Sequence, residues 1–267
     1  MLFLFAIFIL AGCQAGFESA NKDENVNLPA PLAAAKTATS PEAIIPPPET
    51  PKTPEVNNPP PAPPAAPEKP PAANYVNLPV AFASQAPFGN WDAVHEEACE
   101  EASMIMAEKY FHGGSLSAHL MDQAILDLIA WEEANGYHVD LNAEETVVIL
   151  KSYYSLSAEL ETDVSATVIK NILRQGKLVI IPAAGRSLGN PNFTGAGPIY
   201  HMLVVRGFDD RTGEFITNDP GTRKGEGYRY KYQVLINAVH DWNPEAGREM
   251  TEERMGQGRK VIIVVAK

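Results

Sequence analysis

Cysteine is almost missing from this chain: Cys13 and Cys99 are the only two in 267 residues. A fold stapled by several disulfides is therefore excluded. Long apolar runs are missing as well, since nothing after residue 13 approaches the ~20 apolar residues that a membrane-spanning helix needs. Basic charge is scarce, with 21 Lys and Arg against 33 Asp and Glu and a net charge of −12. That balance argues against nucleic acid as a partner. No internal repeat is visible, which removes solenoids and propellers from consideration.

What is present divides the chain into three parts. Residues 1–13 begin with an apolar run from Met1 to Leu10 and end in Leu10-Ala11-Gly12-Cys13. The run is too short to span a bilayer and fits the hydrophobic region of a secretory signal. The small residues before Cys13 look like the lipobox of a bacterial lipoprotein, in which the leader is removed and Cys13 becomes the lipidated terminus. No Lys or Arg precedes the run, so either the start lies upstream or the signal is atypical. Residues 14–75 form a Pro-rich tether: seventeen of the 23 prolines lie between Pro29 and Pro79. Proline at that density excludes helices and sheet ladders, and an extended spacer is expected. Residues 76–267 have ordinary apolar content and are long enough for one domain with its own core.

Within that domain the hydrophobic period changes part-way. Apolar positions at helical spacing predict helices over 98–111 and 119–135, a third from Asn142 through Leu150, and a fourth over 164–174 capped by Asp163. Strands are then predicted at Leu178–Pro182, His201–Val205, Glu214–Thr217 and Val261–Val265, interrupted by a helix over 232–242. Asp210-Arg211-Thr212-Gly213 reads as the hairpin turn between the middle two. Helices first and antiparallel strands afterwards is an α+β order.

If Cys13 carries lipid, Cys99 has no partner in the chain. A lone thiol in an exported protein is better explained by reactivity than by scaffolding. Cys99 falls at the start of a helix, where unpaired N–H groups and the helix dipole favour thiolate over thiol. Among the six histidines, His201 stands out because it opens an apolar strand behind a loop rich in Gly, Asn and Pro. Asp219, in Asn218-Asp219-Pro220-Gly221, ends the next strand. A simple hairpin register puts it beside His201, where a carboxylate fixes the imidazole tautomer and stabilises the imidazolium.

Gln85, Cys99-Glu100-Glu101-Ala102-Ser103, His201-Met202-Leu203-Val204-Val205-Arg206-Gly207-Phe208-Asp209 and Asn218-Asp219-Pro220-Gly221 together resemble the C39-like peptidase domains, a papain-like cysteine peptidase group. The resemblance implies a papain-like α+β fold, with the helical part packed on an antiparallel sheet. It also implies Cys99 as nucleophile, His201 as general base, Asp219 as the residue orienting it, and Gln85 with the Cys99 N–H as oxyanion donors. Many members have Cys-Gly-Pro where this chain has Cys99-Glu100-Glu101, and carboxylates there oppose thiolate formation unless they point to solvent. The fourteen residues from Gln85 to Cys99 exceed the separation in transporter-linked bacteriocin peptidases, which disfavours a bacteriocin-leader substrate.

The expectation is a cysteine peptidase in the bacterial cell envelope, anchored through lipid on Cys13. It would act on a protein or peptide substrate, with no cofactor and no metal. A cell-wall peptide hydrolase and a catalytically silent binding module of the same fold are the alternatives.

Overall fold

The computed structural model describes residues 74–245 and 250–267. The leader, Cys13 and nearly all of the Pro-rich segment lie outside the described residues. The elements are β1 (Tyr75–Asn77), α1 (Cys99–His112), α2 (Ala118–Ala134), α3 (Ala143–Ser152), β2 (Ser157–Glu161), α4 (Ala166–Arg174), β3 (Leu178–Ala184), a 3-10 turn (Gly185–Leu188), β4 (Tyr200–Asp209), β5 (Glu214–Asn218), β6 (Tyr228–Lys231), α5 (Tyr232–Ala238), α6 (Glu252–Met255) and β7 (Ile262–Ala266). The α+β class expected from the sequence is what is seen.

One seven-stranded antiparallel sheet runs β2-β7-β3-β4-β5-β6, and β1 pairs with β4 beyond the stretch that β3 covers. Alternation along β3 shows why its run is apolar throughout. Leu178 and Ile180 join the core beneath α1, α2 and α3, while Val179 and Ile181 join the core beneath α4 and α5. Both sheet faces are therefore covered, and a central strand covered on both faces has no polar side to show. The helical part expected on one face is α1–α3, and α4 and α5 cover the other.

Several boundaries moved for local reasons. The sheet begins at Tyr75, paired with Asp209, one residue before the expected edge of the domain. Helix α4 starts two residues later than expected, because Ser165 rather than Asp163 accepts the Val168 N–H as its cap. Helix α5 ends at Ala238, not Trp242. Three short strands, β1, β2 and β6, were not anticipated, since each is only three to five residues long and carries polar side chains.

The face of α1 toward α2 carries an unusual burden. Ala98, Ala102, Ile105, Met121 and Ile125 pack between them, but Glu101 and Glu132 are buried there too. The two carboxyls hydrogen-bond each other. Burial first, then the Glu101 charge, pushes Glu132 up to about 10, and burial pushes Glu101 up to about 7. The folded protein thus retains protons that the unfolded chain releases above about 4.5. Stability is full below that value and is lost as pH rises through about 7 and about 10. Thermal melts should therefore show Tm falling between pH 5 and pH 9 by at least ~2–4 °C, the shift that ~1 kcal/mol produces in a domain of this size. Glu132→Gln should flatten that fall, and a Tm that is level or rising over the range would refute it.

Candidate active site

Helix α1 begins at Cys99, and no side chain caps it. Its first N–H groups lack intrahelical partners, and Cys99 and Glu100 line a cleft of about 1040 Å³. Gln85, Cys99, Glu100, Phe193, His201 and Gly221 are among the residues that line it. The β4 backbone fixes the sulfur: Met202 N–H donates to Cys99 Sγ at 3.2 Å. Because Met202 follows His201, this single bond brings the start of α1 to the start of β4.

His201 and Asp219 are both buried, at 1% and 0% exposed, with Nε2–H donating to Oδ1 at 2.7 Å. The hairpin that joins them is not simple. A bulge between Val205 and Gly207 shifts the β4–β5 register by one residue, so Val204 rather than Val205 pairs with Asn218. Gly207 is required there, since a Cβ would lie 2.2 Å from Val76 O.

Asp219 gathers further donors. Tyr230 Oη donates to Oδ2 at 2.6 Å, Asn190 Nδ2 donates to Oδ2 at 3.1 Å, and Gly221 N–H donates to Oδ1 at 3.1 Å. Burial alone would raise this carboxyl, but the attraction of His201 and the bonds from His201, Tyr230 and Gly221 hold it below the ordinary carboxylate range. The turn is bolted down in its turn. Asn218 Nδ2 donates to Val80 O and Ala81 O, and Ser84 Oγ and Gln85 N donate to Pro220 O. The four separated sequence signatures therefore meet at one place.

Phe193 stands edge-on to the His201 ring, with centroids 5.3 Å apart. Gly221 lies against both rings, so close that a Cβ would sit 2.8 Å from His201 Cε1 and 3.1 Å from Phe193 Cε1.

Two arrangements differ from the sequence expectation. Gln85 is buried, and both its amide hydrogens are used: Nε2 donates to His95 O and Glu96 O at 2.9 Å each, while Oε1 has no partner. Cys99 is buried as well, and its S–H donates to Glu100 Oε2 at 2.9 Å. Burial, then the charge of Glu100 and this hydrogen bond, pushes the thiol well above its usual range. The helix start was expected to favour thiolate, and burial followed by the inward carboxyl of Glu100 reverses that.

Asn190, Tyr230 and Glu100 were not singled out as functional from the sequence. The Cys-Glu-Glu departure was a signal for Glu100, whereas Tyr230 sits on a strand too short and charged to be recognised. His95 precedes α1 and is clamped by Asp92 and Asp122 through Nδ1 and Nε2 at 2.8 and 3.0 Å, which fixes the loop that Gln85 grips. Among the described residues no group of three or more His, Cys, Asp or Glu is arranged to hold a metal ion.

A family model, the Peptidase_C39 like family, matches residues 77–249. The chain belongs to that family. No curated protein matches. Among solved structures, similarity is found to a chain described as a C39-like peptidase from Bacillus anthracis. The identity is 16%, over 73% of this chain and 98% of that one, with a TM-score of 0.45. Xylellain, a cysteine protease from Xylella fastidiosa, is 10% identical over 73% of this chain and 87% of its own, with a TM-score of 0.34.

Tyr230→Phe removes the strongest donor to Asp219 Oδ2 and leaves that oxygen with Asn190 alone. It should cost ~1–3 kcal/mol, the usual loss for a buried charge-assisted hydrogen bond. Chemical denaturation checks this, and a change below ~0.5 kcal/mol would show that Asn190 or water makes good the loss.

Proposed function

We propose that this member of the Peptidase_C39 like family is a cysteine peptidase that hydrolyses protein or peptide amide bonds. The supporting observation is that Cys99, at an uncapped helix start, and His201, paired with buried Asp219, line one cleft. In this reading Cys99 is the nucleophile, His201 the general base, and Asp219 the residue that holds the imidazole. The thiol proton passes to His201, and sulfur adds to the substrate carbonyl carbon. His201 then returns the proton to the departing amine, and water attacks the acyl-enzyme to release the acid.

The oxyanion falls to the free Cys99 N–H and to Gln85. Both Gln85 amide hydrogens are held by carbonyls, so one of those bonds must be exchanged for the oxyanion when substrate enters. Aspartate rather than asparagine suits the third position because its charge, already favoured in place, offsets the imidazolium.

The same proposal places the domain at the bacterial envelope, with lipid on Cys13 as membrane anchor and the Pro-rich segment as spacer. Among the described residues no helix is long and apolar enough to cross a membrane. An extended spacer at ~3 Å per residue would reach on the order of 100 Å or more. Incorporation of a labelled fatty acid in the intact chain, lost in Cys13→Ala, is the expected result, and retention of label in that variant would remove the anchor.

Digestion of a peptide library by the full chain tests the activity. Cys99→Ala and His201→Ala should each lower the rate on the order of 10³-fold or more, because nucleophile and base act as a unit. Asp219→Asn should leave a measurable remnant. Unchanged cleavage by Cys99→Ala would overturn the enzyme reading.

A further inference from the structure

The clearest unexplained group in the cleft is Glu100. It is 1% exposed, yet it belongs neither to the nucleophile–base pair nor to any ion pair. Its Oε2 accepts the Cys99 S–H at 2.9 Å, and its Oε1 accepts Leu141 N–H at 3.2 Å. The Leu141 bond matters because it fixes the carboxyl from outside α1. Leu141 O is in turn held by Tyr200 Oη at 2.8 Å, on the strand that carries His201. The carboxyl that faces the sulfur is therefore built in by two elements besides its own.

We propose that Glu100 is a positioning residue of the peptidase site: it holds Cys99 as a neutral, oriented thiol, so that ionisation of the nucleophile follows the charge on Glu100. The proposal rests on Cys99 being the nucleophile. While Glu100 is charged, the single proton stays on sulfur, between Sγ and Oε2. A thiolate formed at that point would place two negative charges about 3 Å apart on two buried side chains. When Glu100 takes up a proton its O–H becomes the donor and Sγ the acceptor, and the thiol proton can then pass to His201. Sulfur loses one proton, the imidazole gains it, and the pair stays neutral overall.

The other titratable groups acting on Glu100 and Cys99 do not relieve this. Glu101 lies on the same helix, Glu132 comes from α2, Asp140 from the loop after α2, and Tyr200 from β4. All are acids, and among the described residues no Lys or Arg is paired with Glu100. Burial and then Glu101 push Glu100 itself well above the ordinary carboxylate range, so it takes up its own proton more readily than a free carboxyl does. Met202 N–H favours thiolate, and it is outweighed.

The test is the pH profile of iodoacetamide alkylation, in the full chain carrying Cys13→Ser so that Cys99 is the only thiol. It requires no turnover, so it can fail while peptide digestion succeeds, or the reverse. In the parent chain the profile should rise with a midpoint above the ~8.5 of a free thiol. In Glu100→Gln, which keeps the shape and the acceptor for Leu141, the midpoint should fall by at least ~1 unit, giving ~10-fold faster labelling near pH 7. The plateau rate at high pH should be the same in both. A plateau that rises with an unmoved midpoint means that the substitution only loosened packing, and it overturns the proposal. So does a midpoint in the parent chain at or below that of a free thiol, measured by thiolate absorbance, which decides the matter even if Glu100→Gln does not fold.

Discussion

A carboxylate with no solvent access must be met by donors or give up its charge, and Asp219 is where this protein meets that demand. Its partners come from four segments: His201 from the start of β4, Asn190 from the loop after the 3-10 turn, Tyr230 from β6, and the Gly221 N–H from its own turn. Each segment could take many positions alone, but only one arrangement brings all four donors to one carboxyl. The placement of His201 in the cleft is thus a by-product of satisfying Asp219. The bonds from Asn218, Ser84 and Gln85 extend the same constraint to the segment before α1.

The opposite solution operates a short distance away. Around the start of α1, Glu100, Glu101, Glu132 and Asp140 are buried or half-buried with few donors and no cation among the described residues, and each is shifted upward. Such groups stay by keeping protons rather than by finding partners. One site therefore holds an acid locked in its charged form beside acids that resist charging. The boundary between them runs through the sulfur of Cys99, which accepts an N–H from the β4 side and donates its S–H to the acidic side.

Much of this was legible in the chain. The Asp210–Gly213 turn and the apolar runs on either side identify the hairpin, and a hairpin is enough to associate His201 with Asp219. Local chemistry fixed the helix beginning at Asn142, whose side chain accepts the Glu145 N–H while Glu145 accepts the Asn142 N–H. What escaped was set by distant contacts. Ser165 and Asp163 are both acceptable caps, and only packing chooses between them. Tyr230 reads as a tyrosine in a charged stretch until the sheet brings it to Asp219. Glu100 could be seen to stand beside the thiol, but whether it faced water or sulfur depended on Leu141, forty-one positions away.

The β4 bulge shows how one backbone irregularity carries consequences for chemistry. Pairing from the turn end matches Asp209 with Glu214 and Gly207 with Ile216. Uninterrupted, that register would set Val205 against Asn218. Side chains on neighbouring strands share a face only when their residues pair in register, so a shift of one residue moves a partner to the other face. With the bulge, Val204 meets Asn218. The turn beyond β5 then folds back so that Asp219 reaches Nε2 and Gly221 lies against Cε1. The shift needs a residue without a side chain at position 207, because β1 passes directly over it, and it needs Arg206 to hold the far side through Leu78 O, Val80 O and Asn218 Oδ1. The short strand β1, which adds little core, is therefore part of what aims the histidine.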